Sequence, residues 1–404
     1  MSEDNGEIPG GSKQRRSSPV PATPIEDENV LSVILHRLPS LPPSLLRASL
    51  VNKSWQSIVS HPRFLRDFRA HHKNPPLLGL FSYNFRGNIE FTTVLGPKDS
   101  IPAERFNLPI RPGSRVLRSH HGRVLAVDQG KRHFLVWDPV IREQLNVSYP
   151  LALGRKSLLI MDGGVVCAAT EKGHVHGACC TDPFKLVFIG ADRERFFACV
   201  YSSETGAWGN LFSIMQPQYI ERVCTKCPST MLGNSICMLL VGQMAVILQF
   251  DWDRGNIGFI DIPSDAHLFD AIITGRCYFM ITPVDSGGLN FYLLSDFSVY
   301  VWKRVLNHVG AARWMFGNII ELGNLLSLKP PMSLSLLGVD EDKNVIIRQT
   351  DNVVFAVNLE SMEFMKMSTQ LPFFSFHLPC IQKFLHASTR VNTGHEDVKN
   401  LPGA

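Results

Sequence analysis

No apolar run in these 404 residues approaches the roughly 20 that a membrane-crossing helix needs. The longest candidate, Ile236 to Phe250, is broken by Gly242 and Gln243. Charge of one sign is scarce too: 40 Lys and Arg stand against 36 Asp and Glu, a formal net charge of +4. That mild balance calls for neither nucleic acid nor an acidic surface as a partner. The stretch before Pro24 is polar throughout and does not read as a signal peptide. The nine cysteines, an odd number scattered along the chain, are therefore expected as reduced thiols in an intracellular compartment.

Catalytic signatures are missing as well. There is no Ser-His-Asp signature, nucleophile elbow, P-loop or strand-linked GxGxxG. Cys224-Thr225-Lys226-Cys227 has the spacing of half a zinc site, but a structural zinc takes four ligands and no second CxxC follows. His174, His176, Cys179 and Cys180 are its nearest companions in sequence, and Cys237 and Cys277 stand alone. Adjacent histidines on a strand point to opposite faces, so His120-His121 does not suit chelation, and His71-His72 suits the end of a helix. Asp340 to Asn344 lacks the closing Glu of a calcium loop and reads as a hairpin turn. No metal and no cofactor are expected. Asn146-Val147-Ser148 is a glycosylation sequon that matters only on the secretory path.

What the chain does contain is a soluble composition, 45% hydrophobic and 19% charged, with length for two or three domains. Residues 1–22 are rich in Gly, Ser, Pro and charge and are expected to be disordered, with Lys13 to Arg16 as a solvated basic cluster. Three short helices are predicted next, over 23–70. Thr23 is positioned to cap the first, with Pro24 at its first position and Glu26 completing a capping box. Val30, Leu31, Ile34, Leu35 and Leu38 recur at helical spacing until Pro39. A second helix is expected near Ser44, with Leu45 and Leu46 as anchors. Asn52 should cap a third, which carries Trp55, Ile58 and Val59 to Pro62. Residues 66–73 continue as a helical exit. About 45 residues lie near the size at which a single core is marginal, so apolar surface should remain for another protein.

Leu38-Pro39, Leu45-Leu46-Arg47, Val51, Trp55 and His61-Pro62-Arg63-Phe64-Leu65 resemble an F-box. The chain departs from many members at Asn52, Lys53 and Ser54, where Cys and Arg are common. The resemblance implies that Ile34, Leu35, Leu38, Pro39, Leu45, Leu46, Val51 and Trp55 include the residues that dock a Skp-type adaptor. Through it the chain would reach cullin and RING subunits. It would be a non-catalytic subunit of a ubiquitin ligase, in the cytoplasm, the nucleus or both. Two other readings stand beside it: an adaptor-binding module with no ubiquitin transfer, and an enzyme on a kelch-like propeller.

Past Leu77 the texture turns to short β-type runs. Six strand pairs recur every 45 to 65 residues: 78–92, 134–145, 197–208, 246–263, 289–302 and 353–367. Each turns on Asp, Gly, Asn or Ser, as hairpins do. That spacing lies near the propeller and kelch range, and closing such units in a ring buries edges and faces together. The expected fold is thus α+β multidomain: a three-helix F-box, then an all-β, propeller-like (kelch-like) domain over 77–386, with a β-sandwich as the alternative. Residues 387–404 are expected to be a disordered tail, and Ile319 to Leu337 to cross between the last two units. Trp137, Trp208, Trp252 and Trp302 read as core between blades rather than as a ligand cage. The phrases VWDP, VYSSETGAW and LSDFSVYVWKR are similar to the C-terminal domain that accompanies many plant F-boxes, which implies a body that holds an unknown protein substrate.

Overall fold

The computed structural model describes residues 27–72, 77–83, 89–93, 95–96, 98–99, 106, 113–120, 122–139, 142–154, 158–168, 183–220, 229–241, 245–264, 279–284, 288–306, 312–328, 334–339, 345–349, 353–368 and 373–377. Thr23, Pro24 and Glu26 lie outside them, as do Cys224 to Cys227, His174, His176, Cys179, Cys180, His121, Cys277 and Asp340 to Asn344.

The head is a set of four helices, one more than the spacing predicts: α1 (Glu28–His36), α2 (Pro42–Ser49), α3 (Lys53–Ser60) and α4 (Pro62–His71). Pro62 ends α3 and begins α4, because a missing N–H costs nothing at the first helical position. His61 caps α4, its Nδ1 accepting from the Arg63 amide at 3.2 Å. Asn52 caps α3 as expected, accepting from the Trp55 amide at 2.9 Å. At α1 the cap is Asp27, which accepts from the Asn29 amide at 2.8 Å. α2 starts two residues before Ser44, with Pro42 and Pro43 in its first turn.

From Leu77 onward the chain is mostly strand. β1 (Leu77–Tyr83) pairs with β2 (Ile89–Thr93). A second sheet holds β3 (Arg115–His120), β4 (Arg123–Asp128), β5 (His133–Asp138) and β6 (Glu143–Ser148) in that order. The third holds β7 (Leu159–Cys167), β8 (Phe184–Ala191) and β9 (Arg195–Ser202), with β10 (Ala207–Trp208) and β11 (Phe212–Met215) both on β9. The fourth runs β12 (Thr230–Leu232), β13 (Ser235–Val241), β14 (Ala245–Asp251), β15 (Asn256–Asp261). The fifth runs β16 (Phe279–Pro283), β17 (Leu289–Ser295), β18 (Ser298–Leu306), β19 (Ala312–Glu321). A four-residue helix, α5 (Leu322–Leu325), leads to the sixth: β20 (Leu334–Val339), β21 (Val345–Gln349), β22 (Val353–Val357), β23 (Phe364–Ser368). Finally β24 (Phe373–His377) returns to pair antiparallel with β1, so the first sheet reads β2-β1-β24.

Each of the six predicted strand pairs is a hairpin in a different sheet. Four of the six hairpins close their turns alike. Asp138 to Arg142, Ser202 to Gly206, Asp251 to Gly255 and Asn358 to Met362 each end on a residue with positive φ, from 58° to 67°. Where the turn opens on Asp251 or Asn358, that side chain accepts from two amides inside it at 2.9 to 3.1 Å. This is Asx-turn chemistry.

Every seam between consecutive sheets is filled by one apolar cluster. Phe81 and Trp137 lie in the first seam, Phe134 and Phe188 in the second, Phe196 and Phe250 in the third. Phe291 and Trp302 fill the fourth, Tyr292 and Phe355 the fifth. Strand β8 shows why its sequence is a continuous apolar run. Leu186 and Phe188 face the second sheet, while Val187 and Ile189 face the fourth, so both faces are buried. Edge strands of neighbouring sheets also lie together: β24 on β3, β3 on β7, β12 on β16 and β16 on β20. Among the described residues this is a propeller-like stack of six sheets in chain order, where a sandwich has two. Trp208 and Trp314 reinforce it, their indole N–H groups donating at 2.7 Å to Ser148 and Asp261, each on the outer strand of the preceding sheet.

Candidate functional site

The helical head carries the candidate site. Its interior is built from Leu31 and Leu35 of α1, Leu45 and Ala48 of α2, Val59 of α3 and Phe64, Leu65 and Phe68 of α4. His36 joins it: its Nδ1 donates to the Ser32 carbonyl at 2.7 Å, and its ring lies 4.3 Å from that of Phe64. His72 closes the bundle by donating from Nε2 to the His36 carbonyl at 3.0 Å.

This interior does not end at the helices. It is one apolar cluster with Leu78 and Phe81 of β1, Phe106, and Val116, Val124 and Trp137 of the second sheet. Arg47 of α2 reaches the same side of the head, pairing with Asp99 at 3.2 Å and donating to the Lys98 carbonyl. Both partners are substantially exposed, so the pair contributes little energy. The head is thus seated on the β region and shares its core.

Burial divides the eight sequence-derived docking residues. Leu35 and Leu45 are fully buried among the helices, so of the eight they are the two with no exposed surface. Their spacing faces them onto the other helices, and their part is to hold α1 and α2 in place. Leu38, Leu46 and Trp55 are half-buried against that core. Ile34, Pro39 and Val51 are exposed. Two neighbours that sequence spacing did not single out are more exposed than most: Val33 at 55% and Leu50 at 70%. Leu50 follows α2 in a turn, where periodicity gives no signal. With Val30, Ile34 and Val51 they leave an apolar surface in water on α1 and on the α2–α3 turn.

A second polar grouping lies away from the head. Arg118 of β3 donates to Asp162 of β7 at 3.1 Å and to the Ser229 carbonyl at 2.8 Å, and the Ser229 hydroxyl bonds to both side chains. Bulges at Leu117 and Met161 place Arg118 and Asp162 at matching positions of two sheets. Most of this grouping's capacity is spent internally, tying three consecutive sheets together. Sequence reasoning missed it, because 118, 162 and 229 have no spacing that announces it.

Two buried thiols carry no sign of nucleophilic tuning. Burial pushes the Cys199 thiol up to about 11 and that of Cys237 to about 12, so both stay protonated at neutral pH. Among the described residues no three His, Cys, Asp or Glu side chains are grouped to hold a metal ion, and no helix is long and apolar enough to cross a membrane.

The described residues thus form a helical bundle with an exposed apolar surface, set on a body of stacked antiparallel sheets. Residues 27–67 match the family model of the F-box domain, about a tenth of the chain. No curated protein matches the chain. Among solved structures it is similar to a protein from Lactobacillus plantarum, at 10% identity and a TM-score of 0.38, over 73% of this chain and 81% of that one. It is similar to a luciferin-regenerating enzyme at 8% identity and 0.35, over 64% and 77%. It is also similar to the Dos1 propeller at 10% and 0.33, over 73% and 63%. At such identities and scores none of these brings an activity to this chain.

Proposed function

We propose that this chain is the substrate-recognition subunit of a Skp–cullin–F-box ubiquitin ligase. Residues 23–70 form the adaptor-docking head, and residues 77–386 form the body that holds a protein substrate. The observation that carries the reading is the apolar surface left in water on a head that matches the F-box domain. Val33, Ile34, Leu50 and Val51 supply its exposed part, with Pro39 and the open sides of Leu38, Leu46 and Trp55.

The chain itself makes and breaks no covalent bond. The adaptor links it to the cullin and RING subunits, and the body raises the effective concentration of substrate lysines beside the loaded conjugating enzyme. The shared core between head and body supports this work, because it limits how far the two swing relative to one another. The complex would operate in the cytoplasm, the nucleus or both.

The test is co-purification of the full chain with a Skp-type adaptor and a cullin. The wild type should bring down both, and Ile34→Asp/Val51→Asp should bring down neither while its circular dichroism is unchanged. Adaptor retained by the folded double variant would sink the docking assignment. Adaptor without cullin would point to recruitment with no ubiquitin transfer.

A further inference from the structure

We draw no further inference here: the strongest candidate, the exposed apolar surface of Met315, Phe316 and Ile319 along the outer edge of β19, which no strand pairs among the described residues, carries nothing because nothing in the structure shows what covers it.

Discussion

Ile34 and Leu35 are neighbours on α1, about 100° apart around its axis, and differ in burial: Leu35 is completely buried, whereas Ile34 is 44% exposed. Their substitutions should therefore fail differently. Leu35→Ala empties a packed site and should cost about 2–5 kcal/mol, read as a lower melting temperature. Ile34→Asp leaves no cavity and should cost less, about 1 kcal/mol for an acid in the last turn of α1, yet weaken adaptor binding. The two readouts are thermal melting and adaptor pull-down at matched folded protein. Equal loss of stability in both variants would contradict the geometry.

A contrast of the same kind is expected at Gly163 and Gly164 of β7. A Cβ on Gly163 would sit 2.6 Å from the Val187 carbonyl oxygen, which belongs to the adjoining strand and cannot retreat without disturbing the ladder. At Gly164 the nearest atom is the terminal methyl of Met231, the far end of a flexible side chain. Gly163→Ala should destabilise by about 1–3 kcal/mol, and Gly164→Ala by less. Chemical denaturation of the two variants side by side decides it.

Asp162→Ala removes the carboxylate that faces Arg118 and should cost roughly 1–3 kcal/mol, since a largely buried guanidinium loses its partner. Secondary structure should persist. If the variant melted like the wild type, the grouping would not be tying its three sheets together.

Trp208→Phe keeps an aromatic ring in the second seam but deletes the hydrogen bond to Ser148. The expected loss is about 0.5–1.5 kcal/mol. Trp208→Ala should cost about 3–5 kcal/mol by also emptying the seam. A urea series on the two variants separates hydrogen bond from packing.

Stability should fall in alkali. Burial raises the Cys199 thiol from 9.0 to about 11 and the Tyr149 phenol from 10.0 to about 12, so each loses its proton more readily when unfolded. Their contributions are complete below pH 9 and pH 10 respectively, and disappear as pH rises through the folded values. Melting temperature measured from pH 8 to 11 should decline, and Cys199→Ser/Tyr149→Phe should flatten part of that decline.

Much of the architecture was legible because it is local. Asn52 ahead of Trp55, Pro62 between two helices, and the turns opening on Asp251 and Asn358 are decided within a few residues. The six hairpins were readable for that reason. First strands were harder: β3 and β7 carry bulges at Leu117 and Met161, which break the two-residue period. At the start of α1 Asp27 supplies the cap, and the capping box expected at Thr23 to Glu26 lies outside the described residues. On α1 itself, apolar residues at 30, 31, 33, 34 and 35 cover more than one face. Spacing shows a helix there, but only the packing of α4 shows that Leu31 and Leu35 turn inward and leave Val33 and Ile34 to water.

The pairing of β1 with β24 has a consequence for biosynthesis. A ribosome releases the helical head and β1 early, but the strand that covers one flank of β1 is translated only after the other five sheets. Until Phe373 to His377 emerge, the first sheet is a two-stranded hairpin with one flank of β1 unpaired, and a premature stop codon upstream of them would leave it so. A nascent chain stalled there would present the unpaired backbone edge of β1 to any strand able to pair with it.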